Sequence, residues 1–354
     1  MSGRSRRTFA VFAAILAVCV VTGVLHYAGV EPVVVFLLAA AALAGLAWAI
    51  GVATEAVGAR FGPALTGLLQ STLGNLPELF VVLFALSAGE VVVAQTSILG
   101  SLFANALLVL GLAIVAGSLS AKDGVMRFRS KLPNDTATLL LLAVFIIVLL
   151  GLSNTVGDRA SRHAVAISAV GAVCLLVVYA FWLWGYLRSD EKEPAIEESA
   201  HTPFSFRTGL AVLAVAGVGA AFVSDWFVAE LDPAVKALGI SKAFTGLVIV
   251  AIAGNAVENL VGITLAAKGR SDLAISVVKN SVAQIAVFLF PALVLLSLFF
   301  ENRLTFVLAP VYIGALAVTA IAVWQITGDG QAVAFEGWAL VAIYIILAVL
   351  TFYE

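Results

Sequence analysis

The chain has 354 residues, of which 62% are hydrophobic and only 11% charged, against roughly 25% charged in a soluble globular domain. So few charges cannot cover the surfaces of the two or three soluble domains this length would suggest, and lipid is therefore the solvent for most of the chain. A net charge of −2 points to no nucleic-acid partner, and the two cysteines, Cys19 and Cys174, lie far apart in apolar runs and read as buried small hydrophobes.

A membrane-spanning helix needs about 20 mostly apolar residues, and roughly eleven runs meet that requirement. They are Phe9–Val30, Val33–Ala59, Ala64–Leu86, Val91–Leu119, Thr136–Ser153, His163–Leu187, Phe206–Leu231, Lys242–Ala267, Asp272–Phe300, Leu304–Ile326 and Phe335–Phe352. Gly, Pro and charge mark their ends, as in Glu31-Pro32, Arg60-Phe61-Gly62-Pro63 and Gly328-Asp329-Gly330. The first run follows an arginine-rich start, but it is long for a signal-peptide core and has no clear small-x-small cleavage site, so it reads as a retained helix. With the N-terminus inside, thirteen of the 19 Lys and Arg fall in inside segments and five outside, with Lys279 within a span. This fits the positive-inside rule and predicts an integral membrane protein of a prokaryotic plasma membrane, its N-terminus cytoplasmic.

The longest polar stretch, Arg188 to His201, carries Asp190, Glu191, Glu193, Glu197 and Glu198 and reads as a flexible cytoplasmic linker. The two sides of it resemble each other. The third run contains Thr66-Gly67-Leu68 and then Gly74-Asn75-Leu76-Pro77-Glu78; the eighth contains Thr245-Gly246-Leu247 and then Gly254-Asn255-Ala256-Val257-Glu258. From Gly74 onward the offset is a constant 180 residues, which also pairs Ser101 with Ser281. Five spans separate the related helices, so the copies enter the membrane from opposite sides, an inverted repeat with its binding site between the copies. The predicted fold is an all-α membrane protein of about eleven transmembrane helices: an extra N-terminal helix over 1–32, a first five-helix repeat over 33–187, the acidic linker over 188–205 and a second five-helix repeat over 206–354.

Glu78 and Glu258 lie deep in apolar runs, where a central carboxylate costs roughly 2.5–3.5 kcal/mol. Neither has a basic partner nearby in sequence. Positions three apart share a helix face, so each repeat offers an amide oxygen, Asn75 or Asn255, beside a carboxylate. Gly74 and Gly254 let the backbone approach a ligand, and Pro77 lacks an N–H, which frees the Leu73 carbonyl. Two carboxylates, two amides and loosened carbonyls approach the six to eight oxygens that calcium prefers. Glu55 and Asp225, in the first span of each repeat, are candidates for gating or proton relay, with near-interface charges the equal alternative. Gln95, Ser101 and Asn105 in one span, and Asn280, Ser281 and Gln284 in another, are candidates for lining the pathway, against a helix-packing role for each alone. His26, His163 and His201 show no ligand spacing and read as surface or interface residues. Lys279 lies about 160° around its helix from Ser281 and is expected to face away from the centre, reaching Asp272 or lipid headgroups.

These motifs, with Gly100-Ser101 and Ser281-x-x-Gln284-Ile285, resemble the cation/proton exchanger family within the calcium/cation antiporter superfamily, over essentially the whole chain. The resemblance implies a secondary antiporter, not an enzyme, with calcium as transported substrate bound between Glu78 and Glu258 and protons as counter-substrate. It matches Glu55 and Asp225 to acidic gating positions. The sequence departs from the family at Asn259, where His is usual, and at Lys279-Asn280, where small residues are usual. Calcium and protons would compete for the same oxygens, which couples their opposite movements. A sodium-coupled or sodium/proton exchanger on the same scaffold is the first alternative. An intramembrane hydrolase is the second, but His-Glu-x-x-His and Gly-x-Ser-x-Gly are both missing. The expected surroundings are the lipid bilayer, and a homo-oligomer is compatible with this architecture.

Overall fold

The computed structural model describes residues 3–58, 60, 73–188 and 204–354, and for residues 3–7, 131–132, 186–188 and 256–259 the backbone alone. The linker from 189 to 203, His201 included, and the Thr66-Gly67-Leu68 start of the first motif lie outside the described residues. The rest is nearly all helix. In chain order the helices are α1 (Gly3–Tyr27), α2 (Pro32–Gly58), α3 (Leu76–Ser87), α4 (Val91–Ser120), α5 (Lys131–Val156), α6 (Ala164–Arg188) and α7 (Phe206–Ala229). Then come α8 (Leu231–Leu238), α9 (Lys242–Gly254), α10 (Ala256–Ala267), α11 (Ser271–Ser297), α12 (Pro310–Thr327) and α13 (Ala334–Phe352).

Among the described residues nine helices are long and apolar enough to cross a membrane, or ten if α8 and α9, bent by 114°, form one span; α3 is a shorter apolar helix. The bend follows Gly239, whose φ of 66° ends α8, and α9 restarts where Ser241 Oγ accepts the Phe244 N–H at 2.8 Å. The expected run Leu304–Ile326 becomes helical only at Pro310. Before it the chain is irregular, its N–H groups taken by side chains: Leu304 donates to Ser297 Oγ at 2.9 Å and Phe306 to Ser168 Oγ at 3.1 Å.

Which helices are central follows from what covers them. In α4, 89% of the apolar window is buried inside the protein, against 17% in α1 and 22% in α6. A helix apolar on every side is stable in the interior or against lipid. α4 packs against α9, α10 and α13, while α2 pairs along its length with α7 and α3 packs on α7. The crossing of α4 and α9 is close because glycine stands on both sides. A Cβ on Gly100 would overlap the Leu247 backbone, and one on Gly246 would overlap Thr96 Oγ1 and approach the Ser97 nitrogen to 2.9 Å.

Loop contacts gather at two opposite ends of the helices. At one end β1 (Val125–Arg127) pairs antiparallel with β2 (Gln331–Val333), a ribbon that the apolar pattern does not reveal. Beside it Arg129 N–H donates to Asp272 Oδ1 at 2.7 Å. At the other end His26 Nδ1 lies 2.8 Å from Glu230 Oε1, and Asn302 Nδ2 donates to the Leu86 carbonyl at 3.2 Å.

Asp272 is therefore not the partner of Lys279, which corrects the sequence expectation. Lys279 is 1% exposed, and its ammonium donates to Thr327 Oγ1 at 3.2 Å. Thr327 is the last residue of α12, where unpaired carbonyls and the negative end of the helix dipole favour a cation.

Two outcomes follow from this packing. Gly246→Val should lower the unfolding midpoint in detergent, at a cost of about 1–3 kcal/mol, because a rigid side chain meets backbone at the α4–α9 crossing. Lys279→Ala should cost about 2 kcal/mol or more by leaving a cavity, whereas Lys279→Met, which keeps the volume and removes the buried charge, should hold the wild-type midpoint or exceed it.

Candidate functional site

Both Gly-Asn-x-x-Glu motifs sit at a break in a helix. Leu73 and Gly74 are helical, Asn75 takes φ −85° and ψ 6°, and α3 begins at Leu76 with Pro77 in its first turn. In the second copy α9 ends at Gly254, Asn255 takes φ −109° and ψ 15°, and α10 begins at Ala256. This bridge region of backbone space is sparsely populated and recurs at functional positions. Pro77 explains the first break, since it brings no N–H to the ladder. The second copy has Val257 there and breaks at the same place, so the asparagine and the packing around it hold the geometry.

The break puts each glutamate third in a new helix: Glu78 in the first turn of α3, and Glu258, by its backbone position, in the first turn of α10. The first N–H groups of a helix lack intrahelical acceptors and carry partial positive charge, which favours an anion there. Broken membrane helices use this device to hold charge at the depth of the bilayer. Glu78 is 1% exposed, and Asn75 and Asn255 are buried with it. The two motifs approach each other directly: a Cβ placed on Gly254 would lie 3.8 Å from Glu78 Cβ.

The neighbouring helices supply oriented amides. Asn255 Nδ2 donates to Ser101 Oγ at 2.7 Å and to the Ala251 carbonyl at 3.1 Å. Asn105 Nδ2 donates to the Ser101 carbonyl at 2.9 Å. With both amino groups committed, the oxygens are left over. Asn105 Oδ1, Asn255 Oδ1 and Asn280 Oδ1 are buried and accept no hydrogen bond from the described residues. Buried acceptors without donors are rare and costly, and oxygen is the ligand of hard cations. Among the described residues no three His, Cys, Asp or Glu side chains gather as a metal cluster, so the available donor set is amide and carboxylate oxygen.

Of the remaining candidates, Ser101 meets Asn255 of the second motif, and Ser281 and Gln284 are buried in α11. Gln95 Nε2 donates to the Val307 carbonyl at 3.0 Å and ties α4 to the irregular segment before α12. Glu55 is half-buried in the last turn of α2, and Asp225 is exposed in the last turn of α7, so these two sit on the paired helices α2 and α7 rather than on the motif helices.

Sequence reasoning missed the π-turns. α4 widens over Ala104–Val109 and α11 over Ile285–Leu289, just past Ser101 and Gln284. The 180-residue offset that aligns Ser101 with Ser281 superposes these two turns almost residue for residue. A third occupies Thr245–Val250 in α9. A π-turn leaves carbonyls imperfectly paired and often marks a functional position. Only the matched serines hinted at it.

The profile of the family described as sodium/calcium exchanger protein matches residues 31–187 and 208–353. A Ca(2+)/H(+) antiporter of Synechocystis sp. is 32% identical, the alignment covering 97% of each chain. A Ca(2+)/H(+) antiporter of Aphanothece halophytica is 30% identical over 93% of this chain and 92% of that one. Among solved structures, the Ca2+/H+ antiporter protein YfkE superposes with a TM-score of 0.79 at 26% identity, over 99% of this chain and 100% of that one. Broken helices, buried glutamate and free amide oxygens thus stand in a scaffold shared end to end with known exchangers, and the chain belongs to the sodium/calcium exchanger protein family.

Proposed function

We propose that this protein is a secondary antiporter that exchanges calcium for protons across a membrane, by competition of the two ions at Glu78 and Glu258. The observation that carries the reading is the approach of Gly254 to Glu78 at two matched helix breaks, each with a glutamate in the first turn beyond it. The names of the full-length relatives support the choice of ions. Asn75, Asn255, Asn105 and carbonyls at Gly74 and Gly254 complete an oxygen shell around calcium. Empty, the site holds two carboxylates that calcium neutralises from one side and protons from the other. A single monovalent cation, or no neutralising ion at all, leaves net negative charge in hydrocarbon, and the carrier reorients only when the charge is balanced.

The membrane path we infer has eleven crossings arranged as α1 plus two inverted five-helix repeats. The ribbon end, rich in Lys and Arg, faces the cytoplasm. The grouping of loop contacts at two ends supports this path, because each bonded pair of loops lies on the same side of it. The paired helices α2 and α7 carry Glu55 and Asp225 and move against the central helices, so these carboxylates relay ions toward the motif glutamates. Sodium-coupled exchange on the same scaffold is the alternative outcome of the experiment that follows.

In proteoliposomes, calcium uptake should follow an imposed pH gradient and ignore a sodium gradient. Glu78→Gln and Glu258→Gln should each abolish it, while Lys279→Ala should keep the wild-type ratio of protons to calcium. Substantial calcium flux in either glutamine variant would remove the two-carboxylate site. Calcium binding measured by calorimetry should weaken as pH falls, by up to about tenfold per pH unit for each proton displaced, because the unliganded state binds more protons than the liganded one. A pH-independent affinity would assign the coupling to another group.

A further inference from the structure

Lys242 occupies the first position of α9, at the end of the molecule opposite the ribbon. Its ammonium lies 2.8 and 2.7 Å from the two oxygens of Glu90 and forms an ion pair with Asp232 Oδ1 at 2.6 Å. Glu90 is the N-cap of α4 and follows directly on α3, the helix that carries Glu78. Asp232 belongs to α8, which continues from α7 through a shared cap at Glu230. One lysine therefore joins three elements: the turn that ends the first motif helix, the start of the span that holds the second motif, and the extension of α7.

These elements fall on two sides of a seam. α3 packs against α7, and a Cβ placed on Gly217 of α7 would lie 4.0 Å from Leu76 Cδ1 of α3. Ser224 lies two turns further along α7 on the same face, since seven residues bring a helix back to within about 20°. It is fully buried and its hydroxyl has no partner among the described residues. The seam between α3 and α7 thus runs from the first motif up to the ion triad. A Lys with two carboxylates, partly shielded from water, is worth more than an isolated surface pair because one ordering of the lysine serves both partners.

We propose that Lys242 is the latch of this seam: it holds α7 and α8 against the α3–α4 turn and closes the path to the motif glutamates from the side opposite the ribbon. Asp232 and Glu90 separate when α7 moves away from α3, and Lys242 must release one of them in each cycle. The latch rests on the alternating-access reading above. It adds the contact that sets how often that side opens.

The test uses the full chain in proteoliposomes with Cys19→Ala and Cys174→Ala, and Ser224→Cys as the reporter. A membrane-impermeant maleimide is added on the Lys242 side. Lys242→Ala should speed labelling about fivefold, the factor that about 1 kcal/mol of lost pairing gives. Glu90→Gln should speed it in the same direction. Lys242→Arg, which keeps a cation between Glu90 and Asp232, should stay near the parent rate. If Lys242→Ala fails to fold, Glu90→Gln and Asp232→Asn carry the same expectation. Labelling that stays at the parent rate in the charge-removing variants, or Lys242→Arg labelling as fast as they do, overturns the latch. The readout needs no calcium movement. Failure of the latch therefore leaves wild-type exchange intact, whereas failure of the exchange reading appears in wild-type flux.

Discussion

A carboxylate held inside hydrocarbon is stable only while something neutralises it, and much of this molecule is arranged around that constraint. Glu78 is almost wholly enclosed, so water cannot supply the neutralisation. The local answer is to break the helix one residue short of the turn that bears the glutamate and turn the positive end of a new helix toward it. The break has its own requirement, because exposed backbone groups in a membrane must find partners. Burial between α4, α7 and α9 meets it by closing protein around the break on several sides.

Close approach of backbones is the second consequence. Side chains at Gly100 and Gly246 would push α4 and α9 apart, and with them Ser101 and the amide of Asn255 that it orients. The same crossing lies within the π-turn of α9, so a locally widened helix packs against an unusually close neighbour. Charges that serve the fold are kept apart from this region and tied to helix ends. Lys279 is the clearest case: an intramembrane ammonium placed at the end of α12 on a threonine hydroxyl, where the helix itself provides the compensating dipole.

Much of this was legible in the residues, and the parts that were not share a cause. Apolar runs of helical length announced a membrane fold, because composition alone decides what solvent a helix can face. The paired Gly-Asn-x-x-Glu motifs singled out Asn75, Glu78 and Asn255, since a buried carboxylate carries a local physical meaning, but the continuous spans expected there break at Asn75 and Asn255. Hydrophobicity could not show where a helix turns while staying apolar, so the bend after Gly239 and the late start of α12 at Pro310 differ from the expected runs. Partners across space were also invisible. Lys279 and Asp272 share a helix face, yet Arg129 takes the carboxylate and Thr327 the ammonium, because the competing groups come from α12 and from the loop after β1. The bond from Gln95 to the Val307 carbonyl is another such partner, brought close by the fold from 212 residues away.

The small ribbon of β1 and β2 has a bearing on how such a chain could arise. It joins a loop of the first half to a loop of the second through backbone hydrogen bonds, register Val125 to Val333, Met126 to Ala332 and Arg127 to Gln331. Together with the α4–α13 and α4–α10 packing, it fastens the halves to each other without using the covalent connection between residues 188 and 204. A covalent connection between the halves adds fixed stoichiometry and raised local concentration to these contacts. An ancestor encoded as two separate polypeptides could have assembled through the same surfaces, and fusion of their genes would have changed the assembly from bimolecular to unimolecular while leaving the interface as it was.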